Sequence, residues 1–398
     1  MISVRLLGAG SGVPWKELVE MVGADPASVP RLQKRDRICL LLASSLSSPA
    51  ATILKQCMLS GGADALVHRE VITCAAQSSD AVVYGVPSAL IRGCDSLSGQ
   101  PFGLTKLAER IRALLESPDL PRSVTINSKV LFYTEKPLIM GILNTTPDSF
   151  SDGGSYSTVD EAVNRALFMA ENGADIIDVG GESTRPGSLP VPEKEQIERT
   201  VPVIRGIREK SDVPISIDTT LPGVAEAACA AGAGLINSID AMETPGITCL
   251  AAGLKVPVCI MHMKGIPETM QQNPEYGDVA GEVTNYLLKR VKRLCEKGID
   301  RRKIIVDPGI GFGKTLEHNL SLIRSMAAIR METGCRVLLG HSRKSFLGML
   351  TDVNNPAERD WLTHLVTVLS KDADFVRVHD VRGTSLALKT AKALESFS

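Results

Sequence analysis

The sequence predicts a (β/α)8 barrel of the TIM type preceded by a small α/β N-terminal domain. Two observations carry this. From about Pro137 onward, short continuous apolar runs alternate with longer segments of helical period. That is the pattern of parallel strands buried on both faces, joined by crossover helices. Eight such units also fill about 260 of the 398 residues, the size of a closed barrel, whereas an open doubly wound sheet more often has fewer strands.

The strands read PLIMGILN (137–144), DIIDVGGE (175–182), PISID (214–218), GLINSI (234–239), VPVCIMHM (256–263), KIIVDP (303–308), RVLLGH (336–341) and DFVRVHD (374–380). Between them, TVDEAVNRALFMAENGA, EKEQIERTVPVIRGIREK and VAGEVTNYLLKRVKRLCEKG repeat apolar residues every three or four positions, and several such segments end in Gly, the usual helix stop. In the first third, RICLLLAS and DAVVYGV read as strands, and PAATILKQCMLSGG and GLTKLAERIRALLES as helices. They form a small α/β unit over residues 1–123 without a chemical motif: GAGSG (8–12) lacks GxGxxG spacing, and His68 has no ligand-type partner at useful distance. SPDLPRSVTINS (117–128), rich in Pro and Ser, reads as a linker, which places the barrel domain at residues 129–398.

Composition narrows the function classes. With 44% hydrophobic residues, 22% charged and a net charge of -1, the chain lacks the basic excess of a nucleic-acid or membrane-surface binder. Nine cysteines occur without a C-x-x-C pair, the usage of reduced thiols in a cytoplasmic protein, not of a disulfide framework or zinc site. No signal peptide is read at the N-terminus, and no apolar run reaches the roughly 18 residues of a membrane span.

In such barrels the chemistry sits where strands end and the following loops begin. The residues at those points are polar: Asn144; Glu182 with Thr184 and Arg185; Asp218; Asn237; His262 with Lys264; Asp307; His341 to Ser345; and Arg377 with His379. One Asp or Asn there is ordinarily a turn or cap residue. All eight strands ending this way implies convergence on one mouth.

Asn144 opens the loop NTTPDSFSDGG (144–154) and offers an oxygen suited to a hard cation such as Mg2+. Phe150 in that loop either staples it to the barrel or walls an aromatic substrate. In GGESTRPGS (180–188), Arg185 is placed to pair with Asp152 or with a substrate anion. DPGIGFGKT (307–315) resembles a phosphate loop, but Pro308 stands where that pattern needs Gly. Asp307 remains as a carboxylate for the N–H donors of a heterocycle. GHSRKSFLG (340–348) brings Arg343, Lys344 and Ser345 to a helix start, and with Arg377 and His379 they suggest an anion site for a phosphorylated substrate. Met261 and Met263 flank His262; one suits the face of a flat ring and the other core filling. Together these features fit group transfer from a diphosphate ester.

MGILNTTPDSFSDGG, GADIIDVGGESTRPG, MHMKGIPETMQ, VDPGIGFGK, GHSRKSFLG and VRVHDV, in this order over residues 129–398, closely resemble dihydropteroate synthase. The resemblance implies a folate-synthesis transferase, a sulfonamide target, that joins 6-hydroxymethyl-7,8-dihydropterin diphosphate to p-aminobenzoate. It implies Mg2+ on Asn144, diphosphate on Arg377 and His379, and the pterin ringed by Asp218, Asn237, Asp307 and Lys344 with Met261 on its face. It further implies that Thr184, Arg185 and Asp152 organise closing loops, and that Phe150, Pro186, Lys344 and Ser345 shape the p-aminobenzoate pocket. Asp152, Arg185 and Lys344 are the implied catalytic residues, and a homodimer through helices near the C-terminus is the implied assembly. The chain departs from the common pattern at Thr145, at Leu221, and at Ser238, which replaces a carboxylate. Two other readings are a methyltetrahydrofolate-binding methyltransferase barrel, which has no need of the SRKS and TPDSF segments, and a non-catalytic pterin-binding paralogue.

Overall fold

The computed structural model describes residues 15–30, 32, 38–115, 123–133, 136–145, 159–182, 190–265, 270–271 and 273–395. The chain divides into two compact units, residues 1–118 with 394–398, and residues 119–393.

After a short helix α1 (Trp15–Val22), the first unit is built from β1 (Cys39–Ser47), α2 (Ser48–Ser60), β2 (Asp64–Val67), β3 (Ser78–Gly85), α3 (Pro87–Leu97) and α4 (Leu104–Leu115). Its sheet is antiparallel, in the order β1-β3-β2. One face packs on the helices through Ala43, Ala65, Ala81 and Val83 against Leu54, Met58, Leu90 and Leu97. The other face leaves Leu40, Leu42 and Leu66 exposed, so β1 is buried on one side only although it opens with the apolar run CLLLA (39–43). The strand β2 and helix α3 are additions to the sequence reading. A four-residue strand gives little periodicity, and α3 carries a central glycine, ordinarily a helix breaker. That glycine answers to packing: a Cβ on Gly93 would lie 2.6 Å from Met58 Sδ.

The second unit opens with a hairpin, β4 (Ser123–Ile126) and β5 (Lys129–Phe132). Its turn residues Asn127 and Ser128 have φ of 49° and 62°, the left-handed pair that a two-residue hairpin demands. Part of the stretch expected to be a linker is therefore a strand, and it belongs to the barrel unit. Val124, Ile126, Leu131 and Tyr133 close one end of the barrel against Leu138, Ile176, Leu235, Ile305, Leu338 and Phe375. Asn127 Nδ2 donates to the Gly232 carbonyl (2.9 Å), and buried Arg336 donates to Tyr133 Oη (2.9 Å) and the Ser123 carbonyl (2.5 Å).

The barrel comprises eight parallel strands in sequence order. They are β6 (Leu138–Asn144), β7 (Ile176–Gly180), β8 (Ile215–Asp218), β9 (Leu235–Ser238), β10 (Val258–Met261), β11 (Ile304–Asp307), β12 (Arg336–Leu339) and β13 (Phe375–Val378), and β13 pairs with β6 to close the ring. The outer helices are α5 (Val159–Glu171), α6 (Glu193–Lys210), α7 (Pro222–Ala231), α8 (Ile247–Leu254), α9 (Val279–Glu296), α10 (Leu316–Arg324), α11 (Met326–Thr333), α12 (Ser345–Thr351), α13 (Asp360–Leu369) and α14 (Val381–Glu395). Outward strand residues such as Ile139, Val179, Ile217, Val306 and Val376 pack on these helices in the main core. Among the described residues, no helix is long and apolar enough to cross a membrane.

Candidate active site

Alternate residues of a strand face the same way, and four barrel strands repeat one inward order, apolar then polar. Ile176 precedes Asp178, Leu235 precedes Asn237, Ile305 precedes Asp307, and Phe375 precedes Arg377. A polar layer thus lies directly above the apolar floor, at the carboxyl ends of the strands.

Arg377 is its centre. Its Nε donates to Asp178 Oδ2 at 2.6 Å and its Nη2 to Asp218 Oδ2 at 2.7 Å. Asn237 Nδ2 donates to the same Asp178 oxygen at 3.2 Å. Burial works against the guanidinium charge, but Asp178 and Asp218 outweigh it and raise the Arg377 pKa above its ordinary value. Burial raises the Asp218 pKa, opposed by Arg377 and reinforced by Asp178, Glu182 and Asp307. Asn144, Gly180, Asp218 and Asn237 stand side by side across four adjacent strands.

Asp307 is buried, and burial raises its pKa while Lys344 pulls it down. Its Oδ1 accepts from the Gly309 amide at 2.7 Å. The glycine-rich turn after it serves close packing: Gly309 has φ 69°, and a Cβ there would lie 1.8 Å from the His262 carbonyl oxygen. Only glycine fits. Lys344 crosses the same turn, donating to the Ile310 carbonyl, with Nζ 4.2 Å from the Phe312 ring centre. Withdrawal from water depresses its ammonium to about 7, against the attraction of Asp307. Met261, Met270 and Phe312 form a small apolar wall, with Met263 packed on it at partial exposure. Met261 is the buried one of the pair flanking His262 and lies beside Asp307 in register.

Some expected site residues do other work. His262 faces away from Met261 and is buried against Tyr286 (5.0 Å, edge-on), its Nδ1 3.0 Å from Lys314 Nζ. His341 is buried, its Nε2 3.0 Å from the Thr363 carbonyl and 2.9 Å from Thr367 Oγ1. Arg343, expected in an anion site, is instead held by Asp360 through two hydrogen bonds of 2.7 Å. Ser238 lies on the opposite face of β9 from Asn237, where its hydroxyl bonds Asp240 Oδ1 (2.5 Å) and caps a turn. It therefore lies outside the polar layer. His379 does reach the mouth, its Nδ1 2.9 Å from Ser342 Oγ, and Ser345 opens α12 exposed to solvent. Phe150, Asp152, Thr184, Arg185 and Pro186 lie outside the described residues.

Two residues were missed in the sequence. Asp178 sits inside the apolar run IIDVG, where only its charge among buried neighbours signalled a role. Gln196 is buried on α6 and donates to Glu182 Oε2 (2.7 Å) while accepting from Thr219 Oγ1 (3.2 Å), which ties the segment just after β7 to the end of β8.

A family profile described as pterin binding enzyme matches residues 140–379, which spans this whole polar layer. Dihydropteroate synthase from Synechocystis sp. is 43% identical over 277 residues, 69% of this chain and 96% of the relative. The chain belongs to the dihydropteroate synthase family. The Escherichia coli member is 44% identical over 259 residues, 65% of this chain and 91% of the relative. Among solved structures of the family, the Yersinia pestis synthase in a sulfonamide drug complex matches with a TM-score of 0.65 at 39% identity, covering 69% of this chain and 100% of that one. The Xanthomonas albilineans synthase with 4-aminobenzoic acid matches with a TM-score of 0.64 at 40% identity, covering 70% and 100%.

Proposed function

We propose that this chain forms 7,8-dihydropteroate from 6-hydroxymethyl-7,8-dihydropterin diphosphate and p-aminobenzoate. The observation that carries the reading is the polar layer itself, where Arg377 and Lys344 stand beside the carboxylates Asp218 and Asp307 at one barrel mouth. A diphosphate ester of a nitrogen heterocycle needs both kinds of group.

In this reading the exocyclic C–O bond breaks, and its electrons leave with the diphosphate. The fixed N–H groups of Arg377, with His379 beside them, gain most when that charge develops, because they need no reorientation. Asp218, Asn237 and Asp307 meet the pterin edge, and the carboxylates of Asp218 and Asp307 favour the pterin cation left behind. Met261 packs on the ring face. The arylamine nitrogen then bonds the exocyclic carbon and loses a proton. Lys344 is the catalytic residue among those described, and Asp152 and Arg185 act with Thr184 in the closing loops. Phe150, Pro186 and Ser345 bound the arylamine, placing a sulfonamide in the same pocket.

Among the described residues no cluster of three or more His, Cys, Asp or Glu is arranged to hold a metal ion. Asn144, a single neutral oxygen donor, fits Mg2+ that arrives with diphosphate, since that ion commonly takes one or two protein ligands and completes its shell with phosphates and water. Bound there, it would neutralise charge on the departing diphosphate.

The reading extends to a cytoplasmic homodimer. The nine cysteines occur without a C-x-x-C pair, which suits a reducing compartment. On α13, Trp361, Leu365 and Leu369 form one stripe and are 58%, 50% and 71% exposed, a surface for a second copy. The deciding experiment incubates the purified chain with both substrates and Mg2+. Formation of 7,8-dihydropteroate is expected, and its absence from folded protein overturns the reading.

A further inference from the structure

Asp178 has no role in the reaction as drawn, yet it is fully enclosed, with 0% exposure. One of its oxygens, Oδ2, accepts both Arg377 Nε from β13 and Asn237 Nδ2 from β9. The other, Oδ1, has no hydrogen-bond partner among the described residues, and neither has Oγ of Ser216, its lateral neighbour on β8. Burying a carboxylate with one oxygen unshared is costly unless a counter-charge holds it. Arg377 supplies that charge, and the Asp178 charge in turn fixes how Arg377 points. Asp218 bonds the guanidinium only through Nη2, so without Asp178 the group is free to swing about that one contact.

We infer that Asp178 is a positioning residue that locks Arg377 and Asn237 against each other through a single oxygen. The inference rests on the proposed assignment of Arg377 to the diphosphate and Asn237 to the pterin. Its consequence is that the two ends of the first substrate are gripped as one unit. Loss of the Asp178 charge therefore loosens both ends together and leaves the arylamine pocket alone.

The test is Asp178→Asn in the full chain. Asparagine keeps the shape, keeps an acceptor for Arg377 and Asn237, and puts its N–H donors where Oδ1 has no partner, so the charge is lost without breaking either observed hydrogen bond. The KM for dihydropterin diphosphate is expected to rise roughly tenfold or more, the worth of a charge-assisted hydrogen bond. Inhibition constants for inorganic pyrophosphate alone and for a dihydropterin lacking diphosphate are expected to rise together, with the KM for p-aminobenzoate unmoved. In an Arg377→Lys background the same change is expected to add little, because Asp178 acts through Arg377. Unchanged KM values in an active variant, a shift confined to pyrophosphate, or full additivity with Arg377→Lys overturns the inference. A merely structural role would lower Tm and the active fraction without moving KM.

If the variant does not fold, the wild-type protein still decides. The Arg377 Nε–H resonance is expected to exchange slowly with solvent and to stay protected when pyrophosphate is added; rapid exchange overturns the inference. Wild-type protein that forms no dihydropteroate sinks the proposed function, while the pyrophosphate and Nε readouts continue to judge Asp178.

Discussion

Lys314 shows what one buried charge does to this molecule. Its side chain is 3% exposed, and Nζ contacts His262 Nδ1 at 3.0 Å and the Phe312 carbonyl at 2.9 Å. Burial depresses the ammonium to about 7, with Asp307 opposing and Lys344 adding to the fall. The unfolded chain binds this proton up to its ordinary pKa near 10, so between about pH 7 and pH 10 it holds more protons than the folded one, and this group makes stability rise with pH. Lys314→Met is expected to flatten that rise by roughly 2–4 kcal/mol, read from urea melts across the range. At the mouth, Lys344→Ala is expected to lower kcat/KM by about a hundredfold or more in a steady-state assay, since it removes the catalytic cation held against Asp307. The sequence made Asp218, Asn237, Asp307 and Arg377 visible because each ends an apolar run where barrels place chemistry. It concealed which way the neighbouring histidines face: strands buried on both sides carry no alternation, so His262 and His341 looked equivalent to His379. Asp178 was hidden for the same reason, one step below the strand end.

Among the elements, the β4–β5 hairpin has a structural effect out of proportion to its length. Ile126 is wholly buried among Leu138, Leu235 and Phe375, so Ile126→Ala is expected to cost about 2–4 kcal/mol in chemical denaturation, the range for emptying a packed site. This element was illegible because four-residue strands show too little periodicity, and the Pro and Ser before it resemble a tether. The barrel helices were legible: α6 and α9 begin where the periodic segments begin, and α9 stops before Gly298, whose φ is 93°. On α13 the sequence does not say which apolar residues remain in water. Trp361→Glu is expected to convert the proposed homodimer to monomer in light scattering at micromolar concentration, because it places a charge in the exposed stripe.

For the whole molecule, the division at Pro118 and Asp119 separates a unit with its own core from one that carries the entire polar layer. The family relatives from Synechocystis and Escherichia coli are 96% and 91% covered while aligning with only 69% and 65% of this chain. A chain beginning at residue 119 is therefore expected to fold and to retain kcat within about threefold, judged by circular dichroism and turnover, with hydrophobic burial in the barrel sufficient alone. The hairpin floor has a further consequence, for traffic. A barrel closed below has a single doorway, so the departing diphosphate and the entering arylamine must pass each other on the same side, and the finished product blocks the next pterin until it leaves. Occupancy, rather than affinity, then sets one step of the sequence: product must leave before the next pterin enters. Dihydropteroate should accordingly inhibit competitively against the pterin substrate in initial-rate kinetics.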